Sequence, residues 1–208
     1  MTEQNKRWCG LTWEKKLMYP RTRLDALTDG IFAVAMTLLV LDVRLPDDLH
    51  PRDAAELLRA LFGLMPKFLP YVISFGVLGL RWLRGIELRS DGEGFGREYV
   101  YWWLLYLLLI TCVPFSAIVV GRFANLAPAI WLYAGNIILI SAVGLRLVAL
   151  VPRVEPGDLL DHQVSLILMI LSSVLAISLS FVNPSQALWA LVLNFAAPAI
   201  KSRRRKLS

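Results

Sequence analysis

The chain has 208 residues, of which 57% are hydrophobic and only 18% charged, and its mean hydropathy is +0.57. A soluble domain carries about 25% charged residues to cover its surface, so these proportions exclude an ordinary soluble fold. The formal net charge of +6 does not mark a nucleic-acid binder, because the basic residues fall in short clusters between long uncharged stretches, not on one face interleaved with aromatics.

Residues 1–22 read as a cytoplasmic tail containing Lys6, Arg7, Lys15 and Lys16. No short apolar core with a small-residue cleavage site follows directly, so no cleaved signal peptide is expected and the first span stays in the mature protein. A bilayer core of about 30 Å takes about 20 mostly apolar residues per helix. The chain therefore predicts an all-α, polytopic membrane domain over 23–200, with six transmembrane helices at approximately 23–43, 57–83, 99–121, 126–148, 163–182 and 185–200, followed by a basic tail at 201–208.

The first of these, "RLDALTDGIFAVAMTLLVLDV", opens with Arg23, Asp25 and Asp29. Asp25 fits an interfacial helix start, where a carboxylate is favoured by the positive end of the helix dipole. Asp29 lies deeper and is followed by Gly30, a small residue that permits close helix approach. It is expected to be buried against a neighbour, with Arg23 a candidate partner at a spacing of six. Beyond it Val34, Leu38 and Leu41 share one helical stripe, and Ala33 and Thr37 form a smaller one beside it. In a lone helix such a stripe faces lipid or core; in a ring of first helices it makes stacked apolar constrictions that gate by dewetting.

The second span, 57–83, contains Pro66 and Pro70, which a membrane helix tolerates as kinks. "GEGFG" at Gly92–Gly96 reads as a cytoplasmic loop, since no strand precedes it and no P-loop lysine follows. Tyr99–Gly121 and Phe123–Leu145 are free of charge and parted only by Arg122, a tight helical hairpin. Asn183-Pro184-Ser185-Gln186 supplies the turn before the last span. Lys and Arg gather in the N-terminal tail, at Arg81, Arg84, Arg89 and Arg97, at Arg146 and Arg153, and in "KSRRRKLS". With six spans all four clusters share one side, which places both termini in the cytoplasm.

Cys9 and Cys112 read as free thiols. His50 and His162 stand apart at opposite predicted faces and make no metal pair. No nucleophile, zinc or redox motif is present, so the chain is read as not an enzyme.

The first helix resembles that of the transmembrane protein 175 family, the endosomal and lysosomal potassium channels and their bacterial relatives. The family hallmark is Arg, three residues, then Phe-Ser-Asp, usually with Gly next in bacteria. Arg23, Thr28, Asp29 and Gly30 fit that pattern, with Leu27 in place of Phe. "YVISFGVLGLRWL" (Tyr71–Leu83) is similar to the second helix, including Trp82, although Leu83-Arg84-Gly85 stands where bacterial relatives often place a histidine pair. The resemblance implies a homotetramer in the cell membrane, contacting lipid and itself, with first helices lining a cation pore that lacks the Thr-Val-Gly-Tyr-Gly filter. It implies potassium as the permeant species and no cofactor. It further implies Val34 as the constriction, Leu38 and Leu41 continuing the pore face, Thr37 supplying a hydroxyl, and Arg23, Thr28, Asp29, Gly30 and Trp82 bracing the helix. Two other classes stay open from the residues: a secondary transporter using Asp29, and a non-conducting membrane scaffold.

Overall fold

The computed structural model describes residues 18–45, 49–87, 94–151 and 156–183, together with 187 and 190. Nearly all of the N-terminal tail, the C-terminal tail and the expected span at 185–200 lie outside these residues. What is described is a helical bundle: α1 Arg21–Leu38, α2 Ala54–Phe62, α3 Met65–Glu87, α4 Arg97–Thr111, α5 Val113–Phe123, α6 Ala127–Leu150 and α7 Pro156–Ser180. Among the described residues, four stretches are long and apolar enough to cross a membrane: Arg21–Asp42, Arg97–Phe123, Ala127–Leu150 and Leu159–Ser180. The chain is a multi-pass membrane protein.

Three expected elements change shape. The first span does not run as α-helix to Val43; it tightens after Leu38 into a 3₁₀ turn, Leu39–Asp42. The stretch 57–83 divides into α2 and α3 at Gly63 and Leu64, upstream of the prolines expected to bend it. α2 has its own cap, Asp53, whose side chain accepts from Glu56 N at 2.7 Å while the Glu56 carboxylate accepts from Arg52 N at 2.8 Å. None of its residues is buried, so it does not dock on the bundle. The third expected span is interrupted at Cys112, because Pro114 offers no N–H to the carbonyl four residues before it. Asn136 of α6 reaches the nearby Leu109 carbonyl at 3.4 Å, the kind of interhelical repair that a break inside a bilayer needs.

The "GEGFG" stretch, read as loop, contains a short strand. Gly94–Phe95 (β2) pairs antiparallel with Tyr19–Pro20 (β1). Glycine is needed at 94, since a Cβ there would lie 2.7 Å from the Tyr19 carbonyl oxygen. Phe95 is buried and stacks on Tyr99, with ring centroids 4.0 Å apart. This bridge fixes the start of α1 beside the start of α4.

α6 is the centre of the bundle and packs against α7, α4 and α5. Phe32, Leu78, Leu107, Ile110, Ile130 and Ile137 form the most deeply buried part of the core. Lipid gives helices no hydrophobic reason to associate, so polar ties count. Ser74 of α3 donates to Tyr133 of α6 at 3.0 Å, and Trp131 of α6 donates to Ser180 of α7 at 2.9 Å.

Candidate functional site: the two faces of the first helix

α1 buries Leu24, Phe32 and Ala35, spaced so that one stripe faces the bundle. On the flank of that stripe sit two polar side chains, each gripping an indole from a different helix. Thr28 Oγ1 donates to the Leu24 carbonyl at 2.9 Å and accepts from Trp103 Nε1 of α4 at 3.0 Å. Asp29 Oδ1 accepts from Trp82 Nε1 of α3 at 2.8 Å. Consecutive residues on α1 thus tie it to α3 and to α4.

This arrangement differs from the expected one in three respects. Asp29 is exposed, not buried. Its partner is Trp82, whereas Arg23 is exposed and makes no hydrogen bond or ion pair among the described residues; six residues along a straight helix put the two side chains about 120° apart around the axis and about 9 Å apart along it. Gly30 has nothing within 4 Å of where its Cβ would be, so no helix among the described residues approaches it. Asp25 pairs with Arg21 at 3.4 Å on the helix surface. Trp103 was not legible as part of the site, although an indole N–H in an apolar helix signals a required acceptor.

The other face of α1 has no cover. Val34 is 58% exposed, Leu38 42% and Leu41 63%, and the exposed Leu27 lies on the same side two turns earlier. Thr37 is exposed beside them and its hydroxyl donates back to the Val34 carbonyl at 2.8 Å. The face ends at Asp42, which is buried and accepts from Arg122 Nε at 2.9 Å. That pair joins two charges that the sequence distributes between separate loops, and Gly121 leaves room for it, since a Cβ there would sit 3.2 Å from Asp42 Oδ2.

At the opposite end of α1, a cavity of about 330 Å³ opens between α1, α3, α4, α6 and α7. Thr28, Asp29, Trp82, Trp103, Arg81 and His162 contribute to its walls. His162 therefore faces this cavity, and among the described residues no three His, Cys, Asp or Glu side chains gather as a metal site.

A family model for the endosomal/lysosomal potassium channel TMEM175 matches residues 23–114. A potassium channel of Chamaesiphon minutus is 31% identical over 130 residues, covering 60% of this chain and 63% of the relative. A potassium channel of Streptomyces collinus is 32% identical over 101 residues, 49% of this chain and 48% of its own. The human endosomal/lysosomal proton channel TMEM175 is 39% identical over 67 residues, 30% of this chain and 13% of that protein. The matches thus span between about half and two-thirds of the bacterial relatives' length. The fold is similar to a crystal structure of a lysosomal potassium-selective channel TMEM175 homolog from Chamaesiphon minutus, with a TM-score of 0.71, 25% identity, and coverage of 87% of this chain and 97% of that one.

Proposed function

Because the chain belongs to the endosomal/lysosomal potassium channel TMEM175 family, we propose that it forms a potassium-permeable channel in the cell membrane, a homotetramer with α1 of each subunit around a central axis. The observation that carries this reading is the uncovered row Val34, Leu38 and Leu41 on a helix whose opposite face is packed. In a monomer that row meets lipid; around an axis it makes apolar rings, with Val34 the constriction and Thr37 offering a hydroxyl beside the path.

Such a neck favours potassium over sodium because potassium loses its hydration shell at lower cost, and it closes by dewetting. Potassium is the permeant species, not a bound cofactor. Arg23, Thr28, Asp29, Gly30 and Trp82 act on the helix and not on the ion; the indole bonds to Thr28 and Asp29 support that role. We assign six spans, with α3 as the second and 185–200 as the last, and both termini on the cytoplasmic side. The 23 residues of α3 rise about 34 Å, enough for a bilayer core.

The test is flux from proteoliposomes containing the purified chain. Potassium efflux ahead of sodium is expected, and Val34→Ala or Leu38→Ala should raise the flux and lower the preference. Saturable exchange with fixed stoichiometry would make the protein a transporter, and no flux from a folded multimer would make it a scaffold.

A further inference from the structure

α2 buries none of its residues, yet its sequence is not that of a helix surrounded by water. At about 100° per residue, Leu57, Leu61, Ala54, Leu58 and Phe62 fall on one arc about 140° wide, with Arg59 and Glu56 on the other side. Leu58 is 54% exposed and Phe62 68%. Glu56 and Ala60, the two residues of α2 that are half-covered, lie outside that arc. The apolar face is therefore turned away from the rest of the chain, and a contiguous exposed face of this kind marks a surface that something else covers.

The position of α2 decides what that cover is. α2 lies between the end of the first span at Asp42 and the start of α3 at Met65, and only Gly63 and Leu64 separate it from α3. Leu64 is buried, which pins the junction to the bundle. The alternation of the spans brings the end of α5, the start of α6 and the end of α7 to this same end, where the Asp42–Arg122 pair and the Trp131–Ser180 bond join them. Exposed rings gather there: Phe123, Trp131 and Phe181, the last two with centroids 5.3 Å apart. A tryptophan at the end of a span marks the boundary between membrane and water. The nine residues of α2 rise about 14 Å, too little to cross a core of about 30 Å. Its polar side is spent on its own cap, since Asp53 accepts from Glu56 N and Glu56 from Arg52 N. Arg52 and Arg59 balance Asp53 and Glu56, so neither a charged protein partner nor an anionic headgroup is called for.

We propose that α2 is an interfacial helix whose apolar face is covered by the lipid of the bilayer itself. It lies along the membrane surface at the end of the bundle where α1 stops, with Leu57, Leu58, Leu61 and Phe62 sunk about 5–10 Å into the boundary between headgroups and acyl chains, and Arg59 and Glu56 in water. The helix holds the connection between the first two spans at that surface, and Gly63 and Leu64 form the corner at which the chain turns into the bilayer. The inference rests on α3 being the second span, as assigned above, and not on ion conduction.

The experiment is spin-label accessibility on the full chain in phosphatidylcholine vesicles, with Cys9 and Cys112 replaced by serine and single cysteines introduced as Leu58→Cys, Phe62→Cys, Arg59→Cys and, on the exposed side of α3, Val72→Cys. Oxygen concentrates in the bilayer and a nickel chelate stays in water, so the ratio of their collision rates with the label reads depth. The labels replacing Leu58 and Phe62 should be several-fold more accessible to oxygen than to the chelate, and the label replacing Arg59 the reverse. Chelate access at all three places α2 in water; access by neither probe at Leu58 and Phe62 places a neighbouring copy of the chain on its apolar face; either result overturns the proposal. A chelate-accessible label replacing Val72 removes the α3 span and the proposal with it, whereas failure at Leu58 and Phe62 alone leaves that span standing. Because α2 has no buried residue, these substitutions do not touch the core, and Leu61→Cys replaces either apolar position that cannot be labelled.

Discussion

Thr28 and Asp29 make similar bonds in different surroundings, and the surroundings set the stakes. Trp103 is buried, so Thr28→Val leaves an indole N–H without an acceptor away from water, a loss of about 1–3 kcal/mol. Asp29 and Trp82 are both exposed, and water or a headgroup can replace either partner, so Trp82→Phe should cost only about 0.5–1.5 kcal/mol. Thermal unfolding in detergent should rank Thr28→Val below Trp82→Phe; the reverse order would show that the exposed bond is the one holding α1. At the far end of the helix, Asp42→Ala removes the partner of a half-exposed Arg122. Because the arginine can turn to solvent, the loss should be about 1–3 kcal/mol, short of that for a fully buried pair. The resemblance singled out Thr28, Asp29 and Trp82 together, but not which side chains meet. Trp82 is 53 residues from Asp29, and Trp103 is 75 from Thr28; only the packing of α3 and α4 against α1 makes them neighbours.

Among the elements, the long charge-free stretches were readable because a bilayer demands them, and helices α4 to α7 occupy those stretches. Their interruptions were less readable. Pro66 and Pro70 drew attention as kinks, yet the chain breaks earlier, at Gly63 and Leu64, where a capped and amphipathic α2 ends. The bridge between β1 and β2 had no signal beyond glycine, since strands of two residues show no alternation. It nevertheless tethers the entry to α1, and Gly94→Ala drives a Cβ against the Tyr19 carbonyl. That variant should lose roughly 1–3 kcal/mol and raise amide hydrogen exchange at the start of α1 before it affects α6.

For the whole molecule, the decisive feature is an apolar row that the chain's own fold leaves uncovered. The same residues in a single sequence cannot distinguish a helix facing lipid from one facing an axis, because both surfaces are apolar; the family carries that step. The detergent-solubilised particle should therefore have a protein mass of four times 23.4 kDa, and a monomer would leave no ring of first helices. The most direct measurement places a thiol on the row itself. With Cys9 and the exposed Cys112 both replaced by serine, Val34→Cys proteoliposomes are assayed for potassium flux before and after a charged thiol reagent. Flux should collapse on modification. Unchanged flux with position 34 fully modified, as judged by mass, would place Val34 away from the ion path and contradict it.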